Sequence, residues 1–85
     1  MSDRTVRVLL FAAAREIVGA REIELTLATP SSTVRAISAQ IAERYPALAG
    51  HMRSLRIAVN GEYVRDDDPV NAGDEVAVIP PVAGG

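Results

Sequence analysis

The chain has 85 residues, 48% of them hydrophobic and 24% charged, with a formal charge of -2 and a pI near 5.2. That length supports one domain, the composition is that of a folded soluble protein, and the acidic balance argues against nucleic-acid and membrane partners, which need a net basic face, leaving room only for a local basic patch. The absence of cysteine excludes disulfides, thiolate metal sites and a cysteine nucleophile and fits a cytoplasmic protein; all 9 basic residues are arginine, so no side-chain amine is available for a Schiff base or an internal isopeptide bond.

The first element, Thr5 to Ala12 (TVRVLLFA), predicts a strand whose alternation places Val6, Val8 and Leu10 on one face and Arg7, Leu9 and Phe11 on the other. The apolar run VLLFAAA is too short for a membrane span and lacks the flanks of a signal peptide. Ala12 to Gly19 predicts a helix of one to two turns that Gly19 ends. Arg21 to Leu27 alternates again, with Ile23, Leu25 and Leu27 against Glu22, Glu24 and Thr26.

TPSSTVRAISAQIAERYP predicts the main helix, with Val34, Ile37, Ile41 and Tyr45 as its apolar stripe. Thr33 is the expected N-cap ahead of Ser31 and Ser32, no capping box is formed, and Pro46 is the stop. ALAGHMRS reads as a loop with a short turn of helix. LRIAV-NG-EYVR reads as a hairpin, because Asn60 and Gly61 tolerate the positive φ that a two-residue primed turn demands. DDDPVNAGD is polar turn sequence, and Glu75 to Ile79 is the last strand, ended by Pro80 and Pro81.

This order predicts an α+β fold: a mixed sheet of about five strands with one main helix packed on one face. If the first and last strands pair centrally, Val6, Val8, Leu10, Val76 and Val78 lie under the helix. The opposite face then carries Leu9, Phe11, Ala77 and Ile79, with Tyr63 beside them. An uncovered patch of this kind marks a partner site; loops laid over it would be the structural alternative, and the residues alone leave both open.

Side-chain chemistry is sparse. His51 is the sole histidine and has no second ligand or nucleophile placed beside it by sequence, so it reads as a surface residue. Asp66, Asp67 and Asp68 lack the spacing of a calcium loop and read as a solvated turn. Ser31, Ser32 and Thr33 read as capping hydroxyls, and Gly19, Gly61 and Gly73 as turn glycines rather than a phosphate loop. The remaining feature is the ending, PPVAGG. Two prolines stiffen the exit from the sheet, and six residues reach at most ~20 Å. Such a tail, residues 80–85, can thread a narrow channel and present the α-carboxylate of Gly85, where glycine has no Cβ to meet the channel wall. That carboxylate is ionised at neutral pH and accepts sulfur only after activation, for example as an acyl-adenylate made from ATP.

The segments VRVLLFAAAREIVG, VNGEYV and GDEVAVIPPVAGG resemble, in order and over almost the whole chain, the molybdopterin synthase small-subunit (MoaD) family of ubiquitin-like β-grasp sulfur carriers. Terminal Gly-Gly is shared by all such carriers, whereas F-A-x-x-R-E and PPVAGG lean towards the molybdopterin branch. The resemblance implies a single β-grasp domain over residues 1–85 that binds no cofactor itself. It implies that Gly85, with Gly84 behind it, is adenylated by a MoeB-like enzyme using ATP, converted to a thiocarboxylate from a persulfide donor, and inserted into a MoaE-like large subunit that carries the catalytic side chains. There the sulfur passes to cyclic pyranopterin monophosphate, and two deliveries build the dithiolene of molybdopterin. Phe11, Tyr63 and Ile79 are the implied interface residues, followed by Pro80, Pro81, Val82 and Arg15 with Glu16, in a heterotetramer with two large subunits. The same tail chemistry would serve a carrier for thiamine thiazole, cysteine or tRNA thiolation, or a ubiquitin-like protein modifier.

Overall fold

Strand β1 (Thr5–Leu10) turns Val6, Val8 and Leu10 into the core and leaves Arg7 exposed and Leu9 half-buried, as its alternation requires. In the computed structural model, which describes residues 4–80, this strand stops two residues earlier than the sequence suggests. Phe11 still donates its N–H to Val78 O, at 3.3 Å, but its own carbonyl already accepts from Ala14 N at 3.0 Å and makes it the N-cap of helix α1 (Ala12–Val18). Ala12 makes the turn with a φ of 48°. Gly19 ends the helix in the left-handed region, φ 82°, and its N–H reaches Arg15 O at 2.8 Å.

Strand β2 (Glu22–Thr26) runs back along β1, and the chain then forms β3 (Ser31–Thr33), α2 (Val34–Arg44), α3 (Pro46–Ala49), β4 (Arg56–Val59), β5 (Glu62–Tyr63), β6 (Pro69–Asn71) and β7 (Glu75–Ile79). Five strands make one sheet in the order β2-β1-β7-β4-β5. Only the central β1–β7 pair is parallel, so the first and last strands do meet in the middle. The hairpin forms on Asn60 (φ 51°) and Gly61 (φ 85°), with Ala58 opposite Tyr63 and Val59 opposite Glu62. Asn60 also ties this turn to β7, accepting from Glu75 N at 3.0 Å through its side-chain oxygen.

The core lies between one sheet face and α2. Val6, Val8, Leu10, Leu25, Val76 and Val78 pack against Val34, Ile37 and Ile41, closed at the sides by Leu48 of α3 and Val70 of β6. Burying aliphatic side chains of this size contributes about 1.5–3 kcal/mol each before the entropy of ordering them is subtracted. Thr33 caps α2, its Oγ1 accepting from Ala36 N at 3.2 Å, while Val34 N and Arg35 N donate to Asp68 O and Asp66 O. The helix ends at Arg44 ahead of Pro46, which opens α3 at a first-turn position where its missing N–H costs nothing.

Two elements differ from the sequence reading. Ser31 and Ser32, read as alternative capping hydroxyls, instead form β3 with the capping Thr33, and this strand pairs antiparallel with β6 in a separate two-stranded sheet. The turn-rich segment after Asp68 likewise supplies a strand, placing Val70 fully inside the core.

Candidate functional site

The register of the sheet fixes what its uncovered face presents. Across the middle runs the row Glu22, Leu9, Ala77, Ala58 and Tyr63, each residue opposite its neighbour on the next strand. Below it lie Glu24, Arg7 and Glu75. Above it, at the end from which the chain leaves the sheet, Ile79 faces Arg56, and Phe11 stands just past the end of β1, bonded through its N–H to the carbonyl of Val78.

The upper and middle rows hold the apolar patch expected from alternation. Phe11 is 41% exposed and Tyr63 64% exposed, unusual values for aromatic side chains on a domain of this size, and Leu9, Ala77 and Ile79 are half-buried. No loop among the described residues buries Phe11 or Tyr63. Tyr63 is joined to the patch through Arg56, whose guanidinium carbon lies 5.4 Å from the ring centroid. Arg15, exposed on α1, lines the same concavity as Phe11, Leu9 and Arg21. Glu16 is exposed and does not line it.

The lower row is polar and self-paired. Arg7 donates from Nη2 to Glu75 and its Nε lies 3.9 Å from Glu22. The hydrogen bond to Glu75, then the charges of Glu22 and Glu75, hold the Arg7 guanidinium above its ordinary pKa. On the helical side of the molecule Arg35 pairs with Asp67 and Asp66 and is raised in the same way, the Asp67 hydrogen bond first, so those aspartates serve the start of α2. No group of acidic and histidine side chains able to hold a metal ion occurs among the described residues. His51 is exposed, at the mouth of a shallow groove between α1 and α3.

Of the sequence-predicted site residues, the structure thus gathers Phe11, Ile79 and Arg15 at one end of the open face, with Tyr63 at its flank, whereas the half-buried Pro80 lines the groove between α1 and α3. Pro81, Val82, Gly84 and Gly85 lie outside the described residues. Sequence reading did not find Arg21 and Arg56 as members of this surface. The hairpin register could have found Arg56, two positions from Ala58 on the face that Tyr63 occupies; nothing local marks Arg21.

Comparison with known proteins agrees with this architecture. The ThiS family matches residues 8–85. The molybdopterin synthase sulfur carrier subunit of Chlamydomonas reinhardtii is 42% identical over 82 residues, covering 94% of this chain and 98% of that protein. The protein of the same name from Escherichia coli is also 42% identical over 82 residues, covering 94% of this chain and 99% of that one. Among solved structures, SAMP1 of Haloferax volcanii, the small archaeal modifier protein 1, superposes with a TM-score of 0.85 at 27% identity, covering 95% of this chain and 99% of that one. The fold is therefore the ubiquitin-like β-grasp, with its mixed five-stranded sheet and packed helix. No helix among the described residues is long and apolar enough to cross a membrane.

Proposed function

The chain belongs to the ThiS family, and on that premise we propose that it is the sulfur carrier subunit of a molybdopterin synthase, acting in the cytoplasm. The observation that carries the reading is near-full-length similarity to named carriers of that enzyme, in a chain whose open sheet face runs into the tail at Ile79 and Pro80. Gly85 stands five residues beyond Pro80, a reach of at most roughly 18 Å when extended.

The chemistry follows from the terminal carboxylate. Being ionised, it is a poor electrophile, so an oxygen of Gly85 first attacks the α-phosphorus of ATP on a MoeB-like enzyme and pyrophosphate leaves. The terminal sulfur of a persulfide then attacks the acyl carbon and AMP leaves. Attack of a thiol on the sulfur–sulfur bond releases the thiocarboxylate and leaves a disulfide on the donor side. Phe11, Tyr63, Ile79 and Arg15 dock the domain on a MoaE-like large subunit, and Pro80, Pro81, Val82, Gly84 and Gly85 lead the sulfur into its active site, where cyclic pyranopterin monophosphate receives it. Two large subunits and two copies of this chain form the working assembly. The catalytic side chains are placed on the large subunit in this reading, which accords with a chain that has neither Cys nor Lys.

Reconstitution tests the reading. Thiocarboxylated chain plus large subunit should convert cyclic pyranopterin monophosphate to the dithiolene, and a Gly85-deleted chain should give none while still binding the large subunit. Equal product from the deleted chain, or transfer only when the acceptor is a thiazole, cysteine or tRNA precursor, would contradict it. Likeness to the archaeal modifier SAMP1 favours a second reading, in which activated Gly85 is joined to lysines of other proteins. A branch of this chain's tail joined through Gly85 to target lysines, absent when Gly85 is deleted, would support that role.

A further inference from the structure

We propose that the open face docks in one orientation only, set by a guanidinium rim at the tail end: Arg15, Arg21 and Arg56 meet carboxylates on the partner that receives the tail. The inference rests on the carrier reading and adds to it the chemistry of the receiving surface.

The rim joins two neighbouring segments, α1 and the residue ahead of β2, to β4, which is remote in sequence. Arg15 of α1 and Arg21, just ahead of β2, line one concavity of about 420 Å³ with Leu9, Leu10, Phe11 and Glu22, so that two guanidinium groups meet one carboxylate there and that carboxylate lies towards Arg7. Arg56 of β4 stands opposite Ile79, on the far side of the same upper row. None of the three has a carboxylate within ion-pair distance among the described residues. Arg56 has only the ring of Tyr63, which leaves its N–H donors without acceptors there. In a chain with 11 acidic and 9 basic residues, three unpaired guanidinium groups around one apolar patch are a local excess against the overall balance.

The other end of the same face is opposite in sign. Glu24 and Glu75 stand there against the single guanidinium of Arg7, which pairs with Glu75 and lies 3.9 Å from Glu22 at the β2 edge of the middle row. The face therefore carries a positive end, where the chain exits, an apolar middle, and a negative end. A partner rotated by half a turn would place like charges together at both ends.

Charges at the rim of an interface act mainly on encounter and orientation, and do so over a screening length of about 8 Å at physiological salt. For a tail of limited reach, orientation decides the outcome, since a domain seated backwards on the apolar socket points Gly85 away from the channel. Arginine suits the task because its planar fork matches a carboxylate in two parallel hydrogen bonds. The partner that fits is a protein surface with an apolar socket, carboxylates on the side of the tail channel, and basic residues on the other.

The test uses the full chain and the large subunit from the same source, with association rates measured across a series of salt concentrations. Arg15→Glu with Arg21→Glu, and separately Arg56→Glu, should each slow association about tenfold at low salt, with the gap closing as salt rises. Lysine at the same positions should keep most of the rate, and Glu24→Arg should slow association from the opposite end. The double variant leaves the Arg56–Tyr63 contact untouched, so its result does not depend on that stack. Unchanged rates and salt dependence in the glutamate variants, with the unmodified chain binding normally, would overturn the rim alone. Failure of the unmodified chain to bind the large subunit would overturn the carrier reading and the rim together.

Discussion

The two faces of the central sheet are made from the same strands, yet they are different materials. On β1 and β7 the even-numbered residues Val6, Val8, Leu10, Val76 and Val78 are sealed under α2, and the odd-numbered Arg7, Leu9, Glu75, Ala77 and Ile79 are not. One-residue alternation thus assigns one set to the core and leaves the other for the partner contact proposed above. The covered face is uniformly aliphatic because packing has a single requirement. The open face is graded instead, from Glu24 and Glu75 around Arg7, through the apolar row that Glu22 edges, to the guanidinium groups at the tail end, and the proposed single docking orientation rests on that gradient.

Substitutions on the two faces should separate accordingly. Val8→Asp, at a fully buried site, should unfold the chain, since an unpaired buried charge costs several kcal/mol against a total stability of about 5–15 kcal/mol; far-UV circular dichroism reads the loss. Ile37→Ala, at the centre of the helix–sheet contact, should lower unfolding free energy in urea by about 2–5 kcal/mol. Phe11→Asp or Ile79→Asp should weaken large-subunit binding by about 2 kcal/mol, roughly thirtyfold, with the fold retained. Loss of folding in either would mean that the two faces have been assigned the wrong way round. Thr33→Ala should cost about 1 kcal/mol of stability by removing the cap of α2 and leave partner affinity unchanged.

Most of this division is legible in sequence because period two is strict along β1 and β7, and because Asn60-Gly61 fixes the hairpin that continues the sheet. The helix stripe of Val34, Ile37 and Ile41 and the Thr33 cap follow from the same kind of local rule. The small second sheet does not. Ser31–Thr33 and Pro69–Asn71 are three-residue strands in turn-like sequence, held by their pairing and by the burial of Val70, a lone apolar residue whose partners are distant in the chain. The strand-to-helix change at Phe11 was shifted by two residues because Ala12 takes a positive φ that alanine rarely adopts. The arginine rim was hidden for a different reason: charge in a sequence has no direction until register shows which face and which end each residue occupies.

The central claim is that Gly85 carries sulfur, and the intact mass of the chain tests it most directly. The chain is incubated with ATP, an adenylating enzyme of this family and a persulfide donor, beside a Gly85-deleted control. The account predicts a mass gain equal to exchange of one oxygen for one sulfur, present in the full chain and absent from the control. An unchanged mass with an enzyme shown to be active on another carrier, or the same gain in the control, would contradict it.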